Sequence, residues 1–125
     1  MGIINGLMGN ATEADLRKVE HELEQILVAS EKLEKAYKLI RDLIVFTNKR
    51  LIFIDKQGVT GKKVEYHSIP YHSISHFSIE TSGHFDLDAE LKIWISSHAE
   101  PITKQFRKDK SITEVQKALA EYALR

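Results

Sequence analysis

His67, His72 and His76 fall within one ten-residue stretch, "HSIPYHSISH", and imidazole is a common zinc ligand. A zinc site needs three or four ligands aimed at one point. Pro70 breaks the run between His67 and His72, and no carboxylate or thiol lies within it, so the spacing reads as scattered surface histidines. Asp86, Asp88 and Glu90 alternate along a segment and would share one strand face, where carboxylates can meet a cation or divide acid and base roles. They lack the glycine-bent loop of an EF-hand and read as a solvated face, its cross-strand pairs worth about 0.2 to 1 kcal/mol each. Ser68, Ser73, Ser75 and Ser78 lie near the histidines, but a nucleophile needs a poised base and an oxyanion site, and no G-x-S-x-G elbow is present. "QGVTGKK" places its glycines too close together for a P-loop, and no Ser or Thr follows Lys62. What remains is binding chemistry: Lys62, Lys63, Lys104, Arg107 and Lys108 are candidate contacts for an anionic lipid headgroup or small anion. The residues therefore predict no catalysis, no resident metal and no cofactor.

Composition narrows the classes further. The chain has 125 residues, a length that suits one domain. Its 18 basic and 18 acidic side chains cancel, whereas nucleic-acid binders usually carry a clustered excess of Lys and Arg. Nucleic acid is thus not an expected partner, and membrane contact is expected to be peripheral at most. There is no cysteine, which removes disulfides and thiolate sites and suits a reducing compartment. The opening "MGIINGLMGN" has no basic leader and is shorter than the roughly 20 apolar residues a bilayer span takes. Gly6 stands where an acylation signal would want Ser or Thr. A cytoplasmic protein is the expectation.

The elements that would position these residues follow from periodicity. Thr12 and Asp15 have capping-box spacing, and Leu16, Val19, Leu23, Ile26 and Leu27 recur with helical period after them. From Glu34 the period shortens, and seven strand-like segments follow at about 34–40, 43–47, 50–56, 63–68, 74–81, 89–97 and 102–108. Turns are expected at Arg41 with Asp42, at Asn48 with Lys49, at 57–61, at Pro70 with Tyr71, at Ser82 with Gly83 and at 98–101. Short connections favour antiparallel neighbours. In the sixth segment Leu87, Ala89, Leu91, Ile93 and Ile95 form one face, which leaves Trp94 pointing outward. Ser111 and Glu114 suggest a second capping box, opening a helix with Ile112, Val115, Ala118, Leu119 and Tyr122 on one face.

The stretch "LIVFTNKRLIFIDKQG" is unusual. With a turn at Asn48 and Lys49, Phe46 faces Leu51 and Ile44 faces Phe53 on one side, while Val45 with Ile52 and Leu43 with Ile54 occupy the other. A half-exposed hairpin alternates apolar with polar residues; this one is apolar on both faces and needs two covers. One face can point into a β-framework closed by the last helix. The other needs the stripe of the first helix, the Ile3, Ile4, Leu7 and Met8 segment, or a second subunit.

Several pieces, "TNKRL…D…G…G", "SIPY…I", "DLDAELK" and "EVQKALAEYAL", resemble the bacterial pleckstrin-homology domain family from about Lys35 onward. The resemblance implies a mainly β fold, seven antiparallel strands bent into a barrel or two orthogonal sheets and capped by a C-terminal helix, with the N-terminal helix added. Residues 1–30 would form an N-terminal apolar segment and helix, and 31–125 the PH-like domain. Eukaryotic proteins of this fold often bind inositol phosphates through basic residues on a long first loop. Here Arg41 and Asp42 make that connection tight, and Lys38, Arg41, Lys49 and Arg50 do not reproduce a basic-x-Arg-x-Arg cradle. The resemblance implies instead a closed homo-oligomer. The expected function is a non-catalytic interaction domain that binds itself and acts as a protein-binding or scaffolding module. Its candidate interface comprises Ile3, Ile4, Leu7, Met8, Leu16, Val19, Leu23, Val45, Ile52, Ile54 and Trp94; peripheral anionic-lipid or small-ligand binding is the alternative.

Overall fold

A computed structural model of the chain describes residues 13–39, 42–57, 63–81, 88–107 and 110–124. Helix α1 (Glu13–Leu23) precedes four strands, β1 (Leu33–Lys38), β2 (Asp42–Thr47), β3 (Arg50–Gln57) and β4 (Lys63–Pro70). A single 3-10 turn (Tyr71–Ser73) leads into β5 (Ile74–Thr81), β6 (Asp88–Ile95) and β7 (Ile102–Arg107), and α2 (Lys110–Ala123) closes the order. Two antiparallel sheets result, β1-β2-β3-β4 and β5-β6-β7. The chain changes sheets at Pro70 and the following turn, where a residue without an amide hydrogen ends the ladder.

The β2–β3 hairpin has the register its apolar pattern requires: Phe46 opposite Leu51, Val45 opposite Ile52, Ile44 opposite Phe53 and Leu43 opposite Ile54. Each face enters a different core. Ile44, Phe46, Leu51 and Phe53 point between the sheets, joining Ala89, Leu91 and Ile93 of β6 and Ile112, Val115, Ala118, Leu119 and Tyr122 of α2. Val45, Ile52 and Ile54 point outward and join Val19 and Leu23 of α1 with Leu33 and Ala36, flanked by half-buried Ile26, Leu27, Leu43 and Val64. The second cover is thus the chain's own first helix. β2 and β3 also have hydrogen-bonded neighbours on both edges, so the hairpin is enclosed from four sides.

Three aromatic rings tie α2 into the inter-sheet core. Tyr122 stacks on Phe46 with ring centres 5.5 Å apart and on Tyr71 at 5.0 Å, spacings typical of favourable aromatic pairs. Its hydroxyl donates to the Glu34 carboxylate, and the Tyr71 hydroxyl donates to the Thr47 carbonyl at 2.6 Å.

Some boundaries differ from those the sequence suggests. Asp42 is the first residue of β2, paired with Asp55, and not part of a turn; the reversal is closed by the Leu39 amide donating to the Asp42 carbonyl. The first strand ends at Lys38 and the sixth at Ile95. Ser97 takes a left-handed φ of 72°, uncommon for a residue with a Cβ, and so reverses the chain directly after Ile95. Helix α2 starts at Lys110, placing Ser111 in its first turn. Thr12 and Leu87 lie outside the described residues.

Candidate functional site

The connection between α1 and β1 is fixed by a charge cluster. Glu31 is buried among the residues that leave the helix, and its carboxylate accepts a two-pronged grip from Arg50, Nε to Oε2 at 2.8 Å and Nη2 to Oε1 at 2.9 Å. It also accepts the Thr47 hydroxyl at 2.6 Å and the Val28 amide at 3.2 Å. Burial alone would raise the carboxyl pKa, but the Arg50 and Thr47 hydrogen bonds, the Val28 amide and the Arg50 charge outweigh it and hold the group below the usual glutamate range. Arg50 reaches further, donating to the Ile26 carbonyl at 2.8 Å and the Ser68 hydroxyl at 3.0 Å. Asn48 completes the lock, accepting from the Lys32 amide at 2.7 Å and donating to the Ser30 carbonyl at 3.1 Å. The hairpin tip thereby holds the end of α1 against the sheet.

At the opposite end of the hairpin, α1 and the first sheet flank a half-open cleft of about 220 Å³. Val19, Leu43 and Ile54 contribute its apolar lining, and Lys18, Lys38, Lys56, Glu22 and Asp42 its charged groups. Glu22 faces Lys56 at 3.5 Å and accepts the Tyr66 hydroxyl at 3.4 Å. Asp42 pairs with Lys104 at 2.8 Å. Burial pushes the Asp42 carboxyl above the usual aspartate range; the Lys104 hydrogen bond and charge oppose that, and Asp55 beside it adds to the rise.

This geometry corrects the place of Lys104. It stands opposite Leu91, so the pleat turns it between the sheets, where its ammonium lies 5.3 Å from the centre of the Phe53 ring. It is an internal counter-ion of Asp42 and not one of the exposed contacts expected for an anionic lipid headgroup or small anion. Lys63 is exposed at the start of β4, and Arg107 stands opposite Asp88 in the β6–β7 ladder. Lys62 and Lys108 lie outside the described residues.

Of the proposed contact surface, Val19, Leu23, Val45, Ile52 and Ile54 are brought together, but inside the chain's own second core. They present no surface to a neighbour while α1 is seated. Leu16 falls within α1, and Ile3, Ile4, Leu7 and Met8 lie outside the described residues. Trp94 stands on the outer face of the second sheet, half-buried, with its ring stacked on exposed His76 at 4.4 Å and 17°. His67 and His72 are exposed on other elements, and among the described residues no three His, Asp or Glu side chains gather as a metal site would need. No helix among them is long and apolar enough to cross a membrane.

Sequence reasoning did not find Lys18, Glu22, Lys38 and Lys56 as a group, nor the Glu31–Arg50 pair. Alternation could have found Lys104, two residues after Ile102, which opposes core-facing Ile93.

A four-stranded and a three-stranded antiparallel sheet around a shared core, closed by a C-terminal helix, define a pleckstrin-homology-like domain. A family model described as "Bacterial PH domain" matches residues 2–123, and the chain belongs to that family. It is 61% identical over 121 residues to the uncharacterized protein YjqA of Bacillus subtilis, covering 96% of this chain and 97% of that one. The crystal structure of a pleckstrin homology domain from Shewanella amazonensis is 58% identical, covers 94% of this chain and 95% of its own, and superposes with a TM-score of 0.80. A pleckstrin-homology-domain protein from Shewanella loihica is 52% identical over 93% of this chain and 99% of its own, with a TM-score of 0.75.

Proposed function

We propose that the protein is a non-catalytic interaction domain of the cytoplasm whose first partner is a second copy of itself. The observation that carries this reading is the Trp94–His76 stack, a large half-buried aromatic on an outer sheet face that belongs to neither apolar core. Lys92 and Glu90 of β6 and Glu80 of β5 share that face through the pairings Ser78–Lys92 and Glu80–Glu90, so the surface around the tryptophan carries both signs of charge. The formal net charge of the chain is zero at pH 7, which minimises repulsion between copies. The apolar residues Ile3, Ile4, Leu7 and Met8 would add to the same contact. The hairpin is left out of it, because α1 already covers its outer face.

Light scattering behind a sizing column tests the proposal. The wild-type chain is expected to elute as a particle of several subunits and Trp94→Glu as a smaller one. A wild-type monomer, or an unchanged particle in the variant, overturns it.

A further inference from the structure

Away from the hairpin tip, two carboxyls compete for one ammonium between the sheets. Asp42 opens β2 and stands directly opposite Asp55 of β3. Each lies two residues from a side chain of the inner core, Ile44 and Phe53, so the pleat turns both carboxyls to the inner side. Like charges directly opposite each other on a sheet repel. Burial sharpens the conflict, because the Asp42 side chain is 9% exposed and that of its counter-ion Lys104 19%. Lys104 belongs to β7, so its 2.8 Å contact with Asp42 ties the second sheet to the first. Asp55 is held by a neutral donor, the Gln57 side-chain amide at 3.3 Å. The remaining charged groups near Asp42 are Lys18 and Glu22 of α1, Lys38 of β1 and Lys56 of β3, which line the cleft on the α1 side of the sheet with it; Glu22 and Lys56 face each other at 3.5 Å. A proton on Asp42 resolves the conflict. The acid can donate to the Asp55 carboxylate, its hydrogen-bond neighbour, and still accept from Lys104, which leaves the trio neutral. The upward shift of the Asp42 carboxyl, caused first by burial and reinforced by Asp55 against the pull of Lys104, agrees with that geometry.

We propose that Asp42, Asp55 and Lys104 form a proton-operated clasp between the two sheets, which draws the start of β2 against β7 when Asp42 carries the proton and loosens that end of the inner core, around Phe53, when the proton leaves. The sign follows from linkage: a carboxyl raised in the folded state favours the closed form in acid, and that advantage is lost as pH rises from the ordinary aspartate value through the folded one.

Carbon-13 carboxyl shifts of the full chain, followed through a pH titration, test the proton, and amide exchange tests the clasp. Asp42 should titrate above the ordinary aspartate value. Asp55→Asn, which removes the opposing charge, should lower that midpoint, and Lys104→Met should raise it further. After correction for base catalysis, the β7 amides of the wild type should exchange more slowly below the Asp42 midpoint than at neutral pH, by about tenfold for each unit the midpoint is raised. Asp42→Asn carries the neutral form permanently and should keep the slow exchange under both conditions, with its melting profile confirming that it folds. A midpoint at or below the ordinary value, a midpoint indifferent to Asp55→Asn, β7 protection in the wild type that ignores pH, or a pH dependence that persists in Asp42→Asn would each overturn the proposal.

Discussion

Arg50 and Glu31 show how much one pair of residues can decide. The Glu31 side chain is 1% exposed and that of Arg50 24%, so both have lost much of their hydration, and the pair survives because the carboxylate keeps four hydrogen-bond donors. Removing one partner strands the other. Arg50→Ala is expected to cost roughly 3 to 5 kcal/mol in urea unfolding, and Arg50→Lys a smaller amount, since the charge stays but the fork is lost. The pH dependence has a definite sign. A carboxyl held below its unfolded pKa contributes stability that is complete above the unfolded glutamate value and is lost as pH falls through the folded one. Glu31→Gln should therefore be less stable than wild type at pH 7, with the gap closing in acid. Asp42, whose pKa is raised, acts in the opposite sense and loses stability as pH rises from the unfolded aspartate value toward the folded one. Tyr37 is a different case: its hydroxyl is buried without a hydrogen-bond partner, and burial, aided by Glu114 and Glu121, pushes its pKa up to about 12. Because an unsatisfied buried group costs about 1 to 3 kcal/mol, Tyr37→Phe should melt at or above the wild-type temperature; a clear loss of stability would contradict the orphaned hydroxyl.

At the scale of elements, the outer core rests on a short helix. Eleven residues are too few for a stable helix in isolation, so α1 depends on seating Val19 and Leu23 against Val45, Ile52 and Ile54. Leu23→Ala should cost about 2 to 5 kcal/mol. Deleting residues 1–27 should leave the first sheet with an uncovered apolar face and increase aggregation relative to the full chain, read by sedimentation; a truncated chain that sediments no more than the full one would contradict the described packing. The same elements show what can be read from sequence. The hairpin register was legible because a two-residue turn and a two-residue period leave one alignment that sorts the side chains onto two apolar faces. The α1 stripe was legible from its period, though not which molecule it covers. Lys104 was misplaced because charge was weighed above pleat. The Glu31–Arg50 pair, 19 residues apart, and the cavity lining, drawn from α1, β1, β2 and β3, were not legible, since only the tertiary fold brings such positions together.

At the scale of the whole molecule, the described residues form two apolar cores that share one hairpin as their common wall. The inner core lies between the two sheets and α2, and the outer one joins α1 to the first sheet. The wall has consequences for how the molecule opens. Amide protons exchange with solvent through local, partial or global opening, and each region is as protected as the least costly opening that exposes it. Loss of α1 uncovers one side of β2 and β3, and loss of α2 opens part of the other, which β6 still covers, so neither event alone breaks their ladder. In heavy water the amides of Ile44 to Phe46 and Leu51 to Phe53 should therefore retain their protons longest, vanishing only with global unfolding, while those of α1 exchange earlier. The segment buried twice is the molecule's slowest clock.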